Sequence, residues 1–295
     1  MLGLRIVTAV ALALIATRAF ADHPGHAGPI GWTFSPVLTL PLAIALLVYL
    51  AGWSRLSARA STPLRPHLFL AGWLILALAL VSPLHQGGER SFTLHMIEHE
   101  LIMLVSTLLL AASSAGAILA WGLPRALRQA LGGRWKAPLQ SLWRRLTEPV
   151  TATIVQGAVM WAWHAPPLFD RALDSFGWHL FQHSSFFASA LLFWWAMLHP
   201  RGRGSGYGVS AACLFATSLI GGALGALMSI SSSPWYAAYV AVGLTGVGLD
   251  PLDDQRLAGL IMWIPGGLVH GAAAVVMFYK WLKAAEAGHA ALPVN

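Results

Sequence analysis

A single cysteine, Cys213, occurs in 295 residues. That excludes an intrachain disulfide, a CxxC pair for thiolate metal transfer and a CxxCH site for covalent haem. Charge is scarce too. Asp, Glu, Lys and Arg make up 10% of the chain, against about a quarter in soluble domains, and this excludes an ordinary soluble fold. No Ser, Cys or Lys nucleophile stands beside a recognisable base, so a hydrolase has no support and the expectation is a chain that is not an enzyme. Any metal site has to be assembled from His, Met and carboxylates.

Apolar sequence is what the chain has in excess. Hydrophobic residues form 57% of it, with a mean hydropathy of +0.66, and several stretches approach the ~20 apolar residues needed to cross a bilayer. The expected fold is all-α, a polytopic membrane helix bundle with about seven transmembrane helices after a signal peptide. The expected spans are 36–53, 67–84, 92–121, 148–165, 177–198, 209–230 and 256–282. Residues 1–21 read as the signal peptide: Arg5 supplies a basic start, Ile6–Ala16 is an apolar core too short to span, and Ala19-Phe20-Ala21 is an A-x-A cleavage site. Residues 22–35 then form a periplasmic tail, 36–283 the transmembrane domain, and 284–295 a cytoplasmic tail.

The basic balance, with a pI near 10.2, follows from topology. With the mature N-terminus outside, the inner loops and tail hold Arg55, Arg59, Arg65, Arg125, Arg128, Arg134, Lys136, Arg144, Arg145, Arg201, Arg203, Lys280 and Lys283. The outer side holds Arg90, Arg171 and Arg256. Thirteen against three is a positive-inside asymmetry, and nucleic-acid binding becomes unnecessary as an explanation.

Histidines then fall in one layer. HMIEH places His95 and His99 at the outer end of the third span, and HLFQH places His179 and His183 at the outer end of the fifth. A spacing of four puts each pair on one helix face. The fourth span runs outward to WHAPP, which brings His164 to the same level before Pro166 and Pro167 stop the helix. Five imidazoles at one depth make a candidate metal site, suited to copper, zinc or iron. Sulfur from Met103 or Met262 can assist a soft ion. Met103 shares a face with His99, whereas Met96 points about 100° away from His95. Glu98 and Glu100 flank His99 and can orient a ring or attract a cation. His270, deeper in the last span, reads as an interhelical hydrogen-bonder, His85 as a peripheral cap, and His23 and His26 as solvated tail residues.

Other features have structural readings. Asp250, Asp253 and Asp254 precede the last span, where carboxylates cap a helix N-terminus; a cation-concentrating outer patch is the alternative. Gly221, Gly222 and Gly225, and Gly267 with Gly271, carry GxxxG spacings for close helix packing. Trp161, Trp163, Trp178, Trp194, Trp195, Trp263 and Trp281 are placed as an aromatic belt.

In HMIEH, WHAPPLFDRAL, HLFQH, FWWAML, SSSPWYAAY and DPLDDQRLAGLIMWIPGG the chain resembles the integral-membrane CtaG family, assembly factors for bacterial cytochrome c oxidase of the caa type. The likeness covers most of residues 90–283. It implies a multi-pass protein of the bacterial plasma membrane, with oxidase subunits and the lipid bilayer as partners and no nucleic acid. It implies a role in oxidase maturation, plausibly through its copper, and carries His95, His99, His164, His179, His183, Met262 and Trp263 as matching positions. Where family members often have an Ala-Pro-Leu-Leu type step, this chain reads STLLL at 106–110, so a straighter third helix is expected. Two functions follow: a copper-binding assembly factor, or a membrane redox protein holding haem between His95 or His99 and His179 or His183.

Overall fold

The structure, a computed structural model, describes residues 30–56, 65–133, 135–202 and 205–290. The signal segment, His23, His26, Arg59, Arg134 and Arg203 lie outside the described residues. Among the described residues all regular structure is helical.

Each expected span coincides with a helix: α1 Pro36–Leu56, α2 Pro66–Val81, α4 Phe92–Ser113, α8 Pro149–His164, α10 Phe176–Leu198, α11 Ser205–Ile230 and α13 Pro251–Ala290. Four of these, α1, α4, α11 and α13, are long and apolar enough by themselves to cross a membrane. Shorter helices join them: α3 Pro83–Gly88, α5 Gly116–Gly122, α6 Arg125–Gly132, α7 Lys136–Leu146, α9 Pro166–Asp174 and α12 Ala237–Val242. Local chemistry sets the starts. Pro149 occupies the first turn of α8, and Glu148 Oε2 accepts from Thr151 N–H at 2.7 Å. Ser91 Oγ caps α4 through Leu94 N–H.

The third span departs from its expected form. Instead of one straight helix over 92–121, α4 has a π-helical stretch, Leu101–Ser106, and ends at Ser113. Wider π turns misalign the ordinary carbonyl bonds. Here Met103 O accepts from Thr107 Oγ1 at 2.5 Å and from Trp194 Nε1–H at 3.1 Å, and Ser106 Oγ donates to Gly72 O at 2.8 Å. Neighbouring helices therefore hold the irregularity without a proline. Ser114 then adopts a left-handed φ of 53°, and α5 turns away. AASSAG is thus a helix break as well as packing material. α5 lies against α1 so closely that a Cβ on Gly52 would overlap Ile118 O and one on Gly122 would overlap Val48 O.

α11 and α13 make the most extensive helix pair. Their closest approach runs through Gly225 and Gly259; Gly267 also faces α11, where its carbonyl accepts from Ser218 Oγ–H at 3.4 Å, but Gly271 takes no part. A Cβ on Gly259 would sit 2.5 Å from Gly225 O, whereas nothing lies within 4 Å of one on Gly271. Gly259→Val is therefore expected to force the pair apart and destabilise the protein by about 1–3 kcal/mol or more. Thermal unfolding in detergent would show a lowered midpoint, with Gly271→Ala unchanged as the control. The tryptophan belt is also only partial. Trp161, Trp178, Trp263 and Trp281 are exposed, but Trp194 is fully buried and Trp163 nearly so.

Candidate metal centre

The N-terminal turns of α4 and α10 and the C-terminal turn of α8 meet at one end of the bundle. There His95, His99, His164, His179 and His183 are all buried. A sixth histidine joins them. His85, on α3, is buried too, stacked on His179 with ring centroids 5.2 Å apart. It is central to the cluster and not peripheral, because α3 folds back over α4.

Two groups of three have ligand atoms all within 4.8 Å of one another: His85, His179 and His183, and His95, His99 and His183. His183 belongs to both. Within the second group the His95 and His99 ring centroids are 4.3 Å apart, and those of His99 and His183 are 5.1 Å apart. Glu98 is fully buried between the groups. Its Oε1 accepts from His85 Nδ1 at 2.7 Å and lies 3.8 Å from His183 Nε2. This carboxylate orients a ring of the cluster, as the sequence suggested it could.

A tyrosine in the connection between α11 and α13 sets one tautomer. Burial pushes the Tyr239 phenol well above its ordinary value, so it keeps its proton. That proton goes to Gly88 O at 2.6 Å, and the phenol oxygen therefore accepts from His95 Nδ1–H at 3.1 Å. The lone pair of neutral His95 is then on Nε2, which is buried with no protein partner. His99 has no protein partner at either nitrogen. Buried polar atoms normally find partners, so these open lone pairs fit a cation.

The motif residues around the cluster act as its frame. After His164, Pro166 opens α9, whose buried Phe169 ring lies 5.1 Å from that of His95 and 4.2 Å from that of Tyr236. Asp170 accepts from the N–H groups of Ala237 and Ala238, both at 3.3 Å, and so ties down the helix that carries Tyr239. Gln255 Oε1 accepts from Trp235 N–H at 2.6 Å. The three carboxylates at the start of α13 divide their work. Asp250 caps its own helix through Leu252 and Asp253 N–H, Asp253 pairs with Arg256 at the surface, and Asp254 turns inward to α4.

A family model for the cytochrome c oxidase caa3 assembly factor, Caa3_CtaG, matches residues 47–284. The chain belongs to this family. Searches of curated proteins and of solved structures found no match. The matched Caa3_CtaG region contains every residue of the histidine cluster and its frame.

Within this Caa3_CtaG chain the predicted positions separate into two places. His95, His99, His179 and His183 form the triads with His85. His164 is in neither triad; its ring is 6.4 Å from that of His99, and its Nδ1–H donates to Met160 O at 2.7 Å. It lines a cavity of about 50 Å³ below the cluster, together with Met103 and Met262. Met96 lines this cavity as well, although a face argument from His95 pointed it elsewhere. His270 is not an interhelical hydrogen-bonder. Its Nδ1–H donates to Gly266 O on its own helix at 2.8 Å, and its ring stacks on Trp194.

Proposed function

We propose that this oxidase assembly factor holds copper in the buried histidine cluster, on the extracytoplasmic side of the plasma membrane, and releases it to an oxidase subunit. The observation that carries the reading is the pair of triads sharing His183, with ligand atoms within 4.8 Å and open lone pairs on His95 and His99. Neutral imidazole is a good copper donor, and three-coordinate nitrogen sites suit the ion without saturating it. Handover needs ligand exchange and no bond-making in a substrate. A donor common to two triads gives such exchange a low-energy start, because an ion can change one set of partners while keeping His183. The orientation of this end toward the outside rests on the Arg and Lys count.

Haem is the less well supported alternative. Bis-His ligation requires imidazoles on opposite faces of a macrocycle, with open space for the whole macrocycle between them. His95 and His179 stack with centroids 5.5 Å apart, and His99 and His183 stand 5.1 Å apart. The space around these rings is filled by His85, Phe169 and Phe186, and the adjoining cavity is about 50 Å³, far below what a porphyrin needs. Purified protein without a His tag, analysed for metals and by optical absorption, is expected to carry copper and show no Soret band. Stoichiometric haem, or zinc with no copper uptake, would overturn the reading.

A further inference from the structure

We propose that the cavity below the triads is a second site, built for a soft monovalent cation, Cu(I), and reached from the triads through His99. The inference rests on the copper reading for the nature of the cargo, and it adds a place, a ligand class and an oxidation state.

The cavity lies in the middle of the bundle between α4, α8, α11 and α13. Met96, Met103, Met160 and Met262 line it, which is half of the chain's 8 methionines. Thioethers are neutral, soft and polarisable donors, which favour Cu(I) over harder ions. Two imidazoles face the same space. His164 and His270 each spend Nδ1–H on the carbonyl four residues earlier, at Met160 and Gly266. Each neutral ring therefore keeps its lone pair on Nε2, and both Nε2 atoms are buried with no protein partner. Glu100 also lines the cavity, with a buried Oε2 that has no protein partner. As a carboxylate it would balance a single positive charge in a medium where an unbalanced ion is costly.

Water is the competing occupant. A space of about 50 Å³ admits one or two molecules, and each needs two to four polar partners. Glu100, Gln156, Thr217, Ser218 and the two Nε2 atoms offer these, but water makes no use of the four sulfurs. That composition fits a thiophilic cation better. The position of His99 extends the argument. It belongs to one triad and lines the cavity as well. His183 joins the outer triad to the inner one, and His99 joins the inner triad to the methionine site. Each step along this line keeps one ligand in common.

The test loads the full chain in detergent with Cu(I), anaerobically, against a competing chelator. Copper is counted, and X-ray absorption distinguishes sulfur from nitrogen scattering. The wild type is expected to hold about two ions, with sulfur scattering present. Met103→Leu, Met160→Leu and Met262→Leu combined, a nearly volume-conserving change, should lower this to about one ion and remove the sulfur signal. The retained ion also reports that the variant is folded. His183→Ala, which breaks both triads and leaves the cavity lining intact, should do the converse and keep the sulfur-ligated ion. Nitrogen-only scattering in the wild type, or undiminished copper in the triple variant, would sink the second site and leave the triads standing. A wild type that binds no Cu(I) at all would defeat both readings.

Discussion

Replacing His99 and His183 together by alanine is expected to abolish copper retention at the triads in detergent and to lower oxidase activity in cells. The pair is chosen because no triad survives it. His183 is common to both groups, and His99 completes the inner one while also reaching the cavity. Outer-shell partners of metal ligands alone are commonly worth 10–100-fold in affinity, so losing two ligands should weaken binding by at least about 100-fold. The fold should tolerate the change. Both His99 nitrogens are buried without protein partners, and removing an unsatisfied polar group forfeits no hydrogen bond. Truncating two buried rings still leaves cavities that cost about 2–5 kcal/mol. The metal-free double variant should therefore melt below the metal-free wild type, and the diagnostic result is that the stabilisation conferred by copper at the triads is lost. Unaltered copper stoichiometry in this variant would refute the assignment. Tyr239→Phe provides a graded comparison: it removes the acceptor that fixes the His95 tautomer, and affinity should fall about tenfold.

Much of the cluster was legible because it obeys helical periodicity. HMIEH and HLFQH each set two imidazoles on one face, and the proline pair after His164 marks where α8 must end. Those are local rules, and the structure follows them. His85 escaped because its role depends on contacts that periodicity does not encode. It lies in a six-residue helix behind Pro83, and its partners are Glu98 and His179. Tyr239 escaped for the same reason, since it meets His95 from 144 residues away. The π-helical stretch of α4 had no proline to announce it. Its supports, Trp194 and Gly72, come from other helices. Trp194 was placed in a lipid-facing belt because tryptophan favours that interface, yet a carbonyl loosened by the π turn gives its indole N–H a partner inside the bundle. GxxxG spacing likewise pointed to the right helices, α11 and α13, and Gly267 does meet Ser218 of α11, but Gly271 meets nothing and the closest approach is at Gly259. Which face of α13 meets α11 is decided by the packing of the pair, and Gly259 lies on it.

The same contrast between local and distant chemistry leads to a large effect at Asp254. Three carboxylates stand within five residues, and composition alone treats them as equals. Asp254 Oδ2 accepts from Phe92 N–H at 2.6 Å, and its Oδ1 accepts from Ser91 Oγ–H at 2.9 Å and Thr93 N–H at 3.1 Å. Those are the open donors at the start of α4, which carries His95 and His99 within its first turns. Thr93 Oγ1 returns a bond to Asp254 O at 3.0 Å. The whole contact is buried, so water cannot replace the lost acceptor. Asp254→Ala should then cost about 3 kcal/mol or more, since each buried donor left unpaired costs about 1–3 kcal/mol. Asp254→Asn should fall between the two, because one amide oxygen can serve Ser91 and Thr93 while its N–H₂ group faces the Phe92 donor. Asp253→Ala breaks only an exposed pair with Arg256 at 3.2 Å, and its effect should stay within about 0.5 kcal/mol. Thermal unfolding midpoints and copper retention are the two measurements. Because Asp254 fixes the origin of α4, its loss should lower both, displacing the His95 and His99 rings without touching either. Equal stability of the Asp253 and Asp254 alanine variants would mean that the two helices are registered by apolar packing alone.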